Sequence, residues 1–184
     1  MKIVIGLIGR MGSGKGFVAD YLCENHNASK HTISSILVDI LKRLHIPVKR
    51  EYLQKLGASL RSELGSEVIV TALKGDIEKD NSDIILIDGI RYANEVEMLR
   101  TFKNNLLLSI DAKPEVRYKR CVLRGEKGEN KITLGDFLAN ENRETEKYIG
   151  EVMKDADYAV NNDGTRDELI KKIEEMLKVK CSEF

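Results

Sequence analysis

Hydrophobic and polar positions along the chain alternate between two patterns. Solid apolar runs at residues 2–8, 83–87 and 106–110 have no polar face, as strands buried on both sides of a parallel sheet do not. Between them, apolar residues recur at helical spacing: Phe17, Val18, Leu22 and Cys23, then Ile36, Leu37, Ile40, Leu41 and Leu44, then Leu53, Leu56, Leu60 and Leu64. The spacing predicts a helix from Lys15 to a polar stop at Asn25–Asn27, a short strand at 31–34, a helix ended at the latest by Pro47, and helices over 50–64 and 66–79. Further on, 92–102 is expected to be helical, and Pro114 suits the first residue of a helix carrying Val116, Cys121 and Leu123. Thr133 and Asp136 form a shortened capping box for a helix through Tyr148. A last short strand is expected at 157–160, and Thr165 with Glu168 forms a standard capping box for a terminal helix bearing Leu169, Ile170, Ile173 and Leu177. Strand and helix signals therefore alternate, which predicts an α/β protein with its sheet covered on both faces. The helical stretch between the first and central strands is long for a simple crossover.

Composition narrows the choice of partner. The chain has 184 residues, 42% of them hydrophobic, which suits one core with an excursion. Its 30 Lys+Arg balance 30 Asp+Glu, so a broad nucleic-acid or membrane surface is not expected, and any anionic partner must be held locally. The apolar runs fall far short of the roughly 20 residues of a membrane helix. Cys23, Cys121 and Cys181 form neither a metal-spaced pair nor a disulfide framework, and no secretory leader is evident, so a reducing, cytoplasmic location is expected. His26, His31 and His45 have no zinc-site spacing.

The candidate chemistry begins with Gly9-Arg10-Met11-Gly12-Ser13-Gly14-Lys15-Gly16, between the first strand and the first predicted helix. Glycines let successive amides face phosphate oxygens, the helix start adds donors, and Lys15 can reach the β and γ phosphates, so this is a nearly complete Walker A loop for a nucleoside triphosphate. The departure is Gly16, followed by Phe17, where the usual pattern has a hydroxyl for Mg2+. Asp88 ends a hydrophobic strand in the manner of Walker B; it is a candidate to hold the metal through water or to orient an acceptor hydroxyl. Arg91, at the same sheet end, is a candidate fork for acceptor phosphate. Arg61 and Arg50, in the long helical stretch, are further candidate clamps. Arg117, Arg120 and Arg124 share one side of a helix leading into the polar, glycine-punctuated excursion 125–131; positive groups there can stabilise charge as phosphoryl transfer proceeds. Arg143 is another candidate, from the returning helix.

The GSGKG loop resembles that of adenylate kinase and related P-loop nucleoside monophosphate kinases, although many of those have Thr where Phe17 stands. Beyond it the chain resembles a largely archaeal group related to dephospho-CoA kinase, through ISSIL, LQKLGASLRSELG, IILIDGIRYANEVEMLR, RYKRCVLRG and DADYAVNNDGT. The resemblance implies a three-layer α/β/α P-loop NTPase fold around a five-stranded parallel sheet, in one kinase domain over 1–184, with a helical acceptor-binding region at about 35–80 and a lid at about 120–135. It implies ATP and Mg2+ as cofactors, nucleotide contact by the phosphate loop and Arg120, and base contact by the turn holding Asn162, Asp163, Gly164 and Thr165. The expected activity is phosphoryl transfer to a small phosphorylated acceptor, a nucleoside or deoxynucleoside monophosphate or dephospho-CoA. A P-loop hydrolase or switch and a nucleotide-binding regulatory module are the alternatives; no guanine-reading NKxD motif accompanies the loop. Apolar stripes that one domain can use internally leave the oligomeric state open.

Overall fold

The computed structural model describes residues 2–125, 133–140 and 148–182. Five strands, β1 (Ile3–Ile8), β2 (Ala28–His31), β3 (Ile84–Ile90), β4 (Asn105–Asp111) and β5 (Tyr158–Asn161), form one sheet in the order β2-β3-β1-β4-β5. Every neighbouring pair is parallel. The described helices are α1 (Lys15–Asn25), α2 (Ile33–Arg43), α3 (Arg50–Leu64), α4 (Val68–Lys79), α5 (Ala93–Arg100), α6 (Pro114–Arg124), α7 (Leu134–Asn140), α8 (Ile149–Val152) and α9 (Arg166–Ser182).

The solid apolar strands are solid because each face has its own core. Ile3, Ile5 and Leu7 of β1 pack with Leu86, Leu108 and Val160 against Val18 and Leu22 of α1 and Leu169, Ile173 and Leu177 of α9. Val4 and Ile8 face the other way, with Ile85, Ile87 and Leu107, onto Leu73 and Ile77 of α4 and Val96 and Leu99 of α5. Fully burying such side chains stabilises by about 1.5–3 kcal/mol each. The expected three-layer α/β/α architecture is therefore observed, and β1 lies at its centre. The chain leaves β1 through α1 on one face, while α4 and α5, before and after β3, cover the other, and this reversal beside β1 opens a crevice at the carboxyl ends of these strands.

Three local expectations shift. The second strand lies at Ala28–His31 rather than 31–34, because Thr32 turns the chain into α2: its Oγ1 accepts from the Ser35 amide at 2.9 Å. Leu123 belongs to no core; it is 87% exposed, while Cys121 is the residue of that turn that α6 buries. In α3, Gly57 is the buried residue and Leu64 is 65% exposed, so this helix rests on α2 and α4 instead of on the sheet. Of the helix expected through Tyr148, the described residues hold α7; residues 141–147 lie outside the described residues, and α8 begins just after Tyr148. Among the described residues no helix is long and apolar enough to cross a membrane.

Candidate functional site

The glycine loop is set by close packing on both sides. Gly12 has φ 77° and Gly14, the N-cap of α1, has φ 107°, values that only glycine adopts cheaply. A Cβ on Gly12 would lie 2.6 Å from the carbonyl oxygen of Arg117 and 2.9 Å from Cys121 Sγ, so α6 presses directly on the loop. The space beside Gly14 is taken by the side-chain amide of Asn162, which donates to the Ser13 carbonyl at 2.8 Å. The first turn of α1 carries no acidic residue and no side-chain cap, leaving its amides for an anion. Lys15 Nζ folds back to donate to the carbonyls of Gly9 at 2.6 Å and Arg10 at 3.1 Å. Ser13 Oγ is buried and has no hydrogen-bond partner among the described residues. These features fit a polyphosphate: orphaned donors, an ammonium seated on loop carbonyls and a cradle that side chains would fill. Gly16 is exposed, with nothing within 4 Å of an added Cβ, so its missing hydroxyl is not imposed by crowding.

Asp88 stands opposite Leu7 at the carboxyl end of β3, half-buried. Immediately after it the register slips, Ile8 pairing with Ile90, and Gly89 at φ 90° takes up the extra residue. Lys30, on β2, lies within electrostatic reach. Its ammonium is held above its ordinary pKa first by a 2.5 Å hydrogen bond to Asp20 Oδ1, against the cost of burial, and further by the charges of Asp20 and Asp88. Among the described residues no cluster of three or more His, Cys, Asp or Glu forms a metal cage. The donor set fits Mg2+ held by phosphate oxygens and water with one carboxylate, the habit of that ion.

On the β3 side of the crevice, Arg91 and Arg61 both lie within electrostatic reach of Glu95. Glu95, 3% exposed, accepts from the amides of Arg91 at 2.8 Å and Tyr92 at 3.4 Å. Burial pushes its carboxyl above the ordinary value, opposed by those two amides and by the charges of Arg91 and Arg61. Arg61, in the last turn of α3, lays its Nη1 3.1 Å from where a Gly57 side chain would begin. Arg50 starts the same helix about 16 Å away along its axis, so the structure does not bring it to this cluster.

On the β5 side, Arg120 Nη2 donates to the Gly164 carbonyl at 3.3 Å, and Nη1 is buried without a hydrogen-bond partner among the described residues. Burial lowers the pKa of this guanidinium; Asp163 opposes the shift and Arg166 adds to it. Arg166 lies over the Phe17 ring at 5.1 Å. Arg124 is exposed in the last turn of α6. Arg143 and all of the excursion 125–131 beyond Gly125 lie outside the described residues. Arg10 turns aside from the loop to pair with Asp111 at 2.5 Å. The motif reading missed Lys30, Glu95 and Asp111. For Asp111 a signal exists, since LLLSID is, like IILID, an apolar strand ending in a carboxylate.

A parallel sheet in this order, with a glycine loop between the central strand and its helix, defines a P-loop NTPase fold of the nucleoside monophosphate kinase-like type. Solved structures share it: shikimate kinase from Bacteroides thetaiotaomicron superposes with a TM-score of 0.61 at 16% identity, over 96% of this chain and 97% of that one. TT1252 from Thermus thermophilus gives 0.60 at 20% identity, over 96% and 97%. The chain belongs to the UPF0200 family, and a family model described as an AAA domain matches residues 5–149. The UPF0200 protein PH1008 of Pyrococcus horikoshii is 32% identical over 182 residues, 95% of this chain and 96% of the relative. A UPF0200 protein of Sulfurisphaera tokodaii is 30% identical over 175 residues, again 95% and 96%.

Proposed function

We propose that this protein is an ATP-dependent phosphotransferase whose acceptor is a small molecule already carrying phosphate, either a nucleoside or deoxynucleoside monophosphate or dephospho-CoA. The observation that carries the reading is the placement of positive groups on both sides of one carboxylate. Lys15 and the loop amides lie at the end of β1, Arg61 and Arg91 gather around Glu95 beyond β3, and Asp88 stands between. A hydrolase has no use for the second cluster.

ATP, when bound, supplies the γ-phosphoryl group. Lys15 exchanges its two carbonyl partners for phosphate oxygens, and the amides at the start of α1 take the rest of the charge. Arg61 and Arg91 hold the acceptor phosphate, with Glu95 fixing the backbone that carries Arg91. Asp88 would orient the attacking oxygen, or hold Mg2+ through water when the ion is bound. Arg120 and Arg124 neutralise charge from the α6 side, and the backbone at Asn162 and Gly164 borders the base. In this reading residues 1–184 are one kinase domain, the helical region about 35–80 receives the acceptor, and the free thiol of Cys23 fits a reducing cytoplasm.

The test is ADP production from ATP and Mg2+ with AMP, CMP, UMP, GMP, their deoxy forms and dephospho-CoA offered singly. One acceptor class should accelerate turnover, and Arg91→Ala should raise the KM for that acceptor far more than the KM for ATP. No acceleration by any of them overturns the proposal.

A further inference from the structure

Behind the glycine loop lies a buried guanidinium to which the proposed transfer gives no direct part. Arg117 is 1% exposed, one of the few charged side chains among the buried residues. Such a charge is tolerated in the interior where fixed acceptors meet its donors. Its Nε donates to the Ala112 carbonyl at 2.9 Å and lies 3.5 Å from Asp111 Oδ1, while Nη1 donates to the Met11 carbonyl, within the loop itself, at 3.3 Å. Phe137, the fully buried residue of α7, covers the guanidinium at 5.7 Å, and Tyr118 packs edge-on against that ring. The carbonyl oxygen of the same Arg117 fills the space beside Gly12. Asp111 also accepts from Arg10 Nη1 at 2.5 Å and from the Ala112 amide at 2.9 Å. One planar group thus joins the loop, the end of β4 and α7.

We infer that Arg117 is a positioning residue for the phosphate loop: by fixing the Met11 carbonyl and Asp111 it aims the loop amides, and through Phe137 it makes that aim depend on the seating of α7. Arg117 is then not the charge-stabilising group expected beside Arg120 and Arg124, since its burial removes it from direct contact with a ligand. It rests on the proposed nucleotide site. The fork geometry matters, because a lysine can supply the charge at this place without bridging three acceptors.

The experiment compares wild type, Arg117→Lys, Phe137→Leu and the double variant with Ile77→Ala, a core change in α4 well away from the loop. Affinities for ATP and ADP with Mg2+ are measured by calorimetry, and urea midpoints are recorded without ligand. Arg117→Lys should lose about tenfold or more in affinity for both nucleotides, the scale of a displaced binding group. Phe137→Leu should lose less, and should add nothing in the Arg117→Lys background, because both act through one contact. Ile77→Ala should lose stability but keep its nucleotide affinity. Wild-type affinity in Arg117→Lys, or a loss in Ile77→Ala as large as in Arg117→Lys, overturns the inference. If Arg117→Lys does not fold, unchanged affinity in a folded Phe137→Leu overturns it equally. A wild-type protein that binds neither ATP nor ADP instead overturns the nucleotide reading on which the inference stands.

Discussion

Replacing Gly12 with alanine isolates the packing that shapes the phosphate loop, and Gly16→Ala four residues on is its control. At Gly12 the new methyl group meets a backbone carbonyl of α6 at 2.6 Å and the Sγ of Cys121 at 2.9 Å, with φ at 77°. The left-handed conformation costs an L-residue about 1–2 kcal/mol. Forcing a methyl against helix backbone adds about 1–3 kcal/mol, since the nearer partner, the Arg117 carbonyl, is backbone. Gly12→Ala should therefore lose about 2–5 kcal/mol, a large share of the 5–15 kcal/mol typical of a domain. Gly16 is a helical position open on all sides to 4 Å, so alanine there should be neutral or stabilising by up to about 1 kcal/mol. Urea unfolding reads both, through a shift of midpoint at constant slope. Equal midpoints for the two variants would refute the claim that α6 holds the loop by direct contact.

Further outcomes follow from the same geometry. Lys15→Ala should leave the urea midpoint close to wild type, because its partners are loop carbonyls, while turnover falls by about a hundredfold or more; retained turnover removes Lys15 from the phosphate site. Gly16→Ser places a hydroxyl where Walker A loops carry one and should lower the Mg2+ concentration for half-maximal ADP formation; an unchanged Mg2+ titration would mean that the cation does not approach Gly16. Asp157 ties β5 to β4: burial raises its pKa, but Arg100 at 2.6 Å and the Leu107 amide at 2.7 Å outweigh that, and the carboxyl is held below its ordinary value. A depressed pKa gives stability that is present above about pH 4 and lost as pH falls through the folded-state value. At neutral pH Asp157→Asn should therefore cost about 1–2 kcal/mol, discounted for its partial exposure. The gap between variant and wild type should close in urea titrations run below pH 4, and a gap independent of pH would contradict the ion pair.

What the sequence exposed and what it hid divide along physical lines. Elements with local signatures were legible: the apolar runs of β1, β3 and β4, and the Thr165–Glu168 box, whose reciprocal bonds are 3.1 and 3.3 Å. The shorter Thr133–Asp136 pair closes as well, at 3.3 and 3.1 Å. β2 was misplaced because ASKH carries almost no apolar signal, and its pairing comes from the edge of β3. Leu123 and the leucines of α3 have helical spacing, yet spacing alone does not say which stripe finds a partner. In the site, the glycine loop and Asp88 could be read from their chemistry. The shared influence of Arg61 and Arg91 on Glu95 could not, since it depends on where packing against α2 and α4 sets α3. Nor could the burial of Arg117: its spacing from Arg120 and Arg124 looks like a charged face, and only the docking of Phe137 and Met11 separates it from them.

The most direct measurement follows the fate of label from ATP carrying a γ-32P phosphoryl group, incubated with Mg2+ and each candidate acceptor. Transfer of the label into an organic product, with a rate that depends on a phosphate-bearing acceptor and collapses in Arg91→Ala, is the expected result. Release of all the label as inorganic phosphate, at a rate indifferent to every acceptor, would contradict the phosphotransferase and leave a hydrolase in its place.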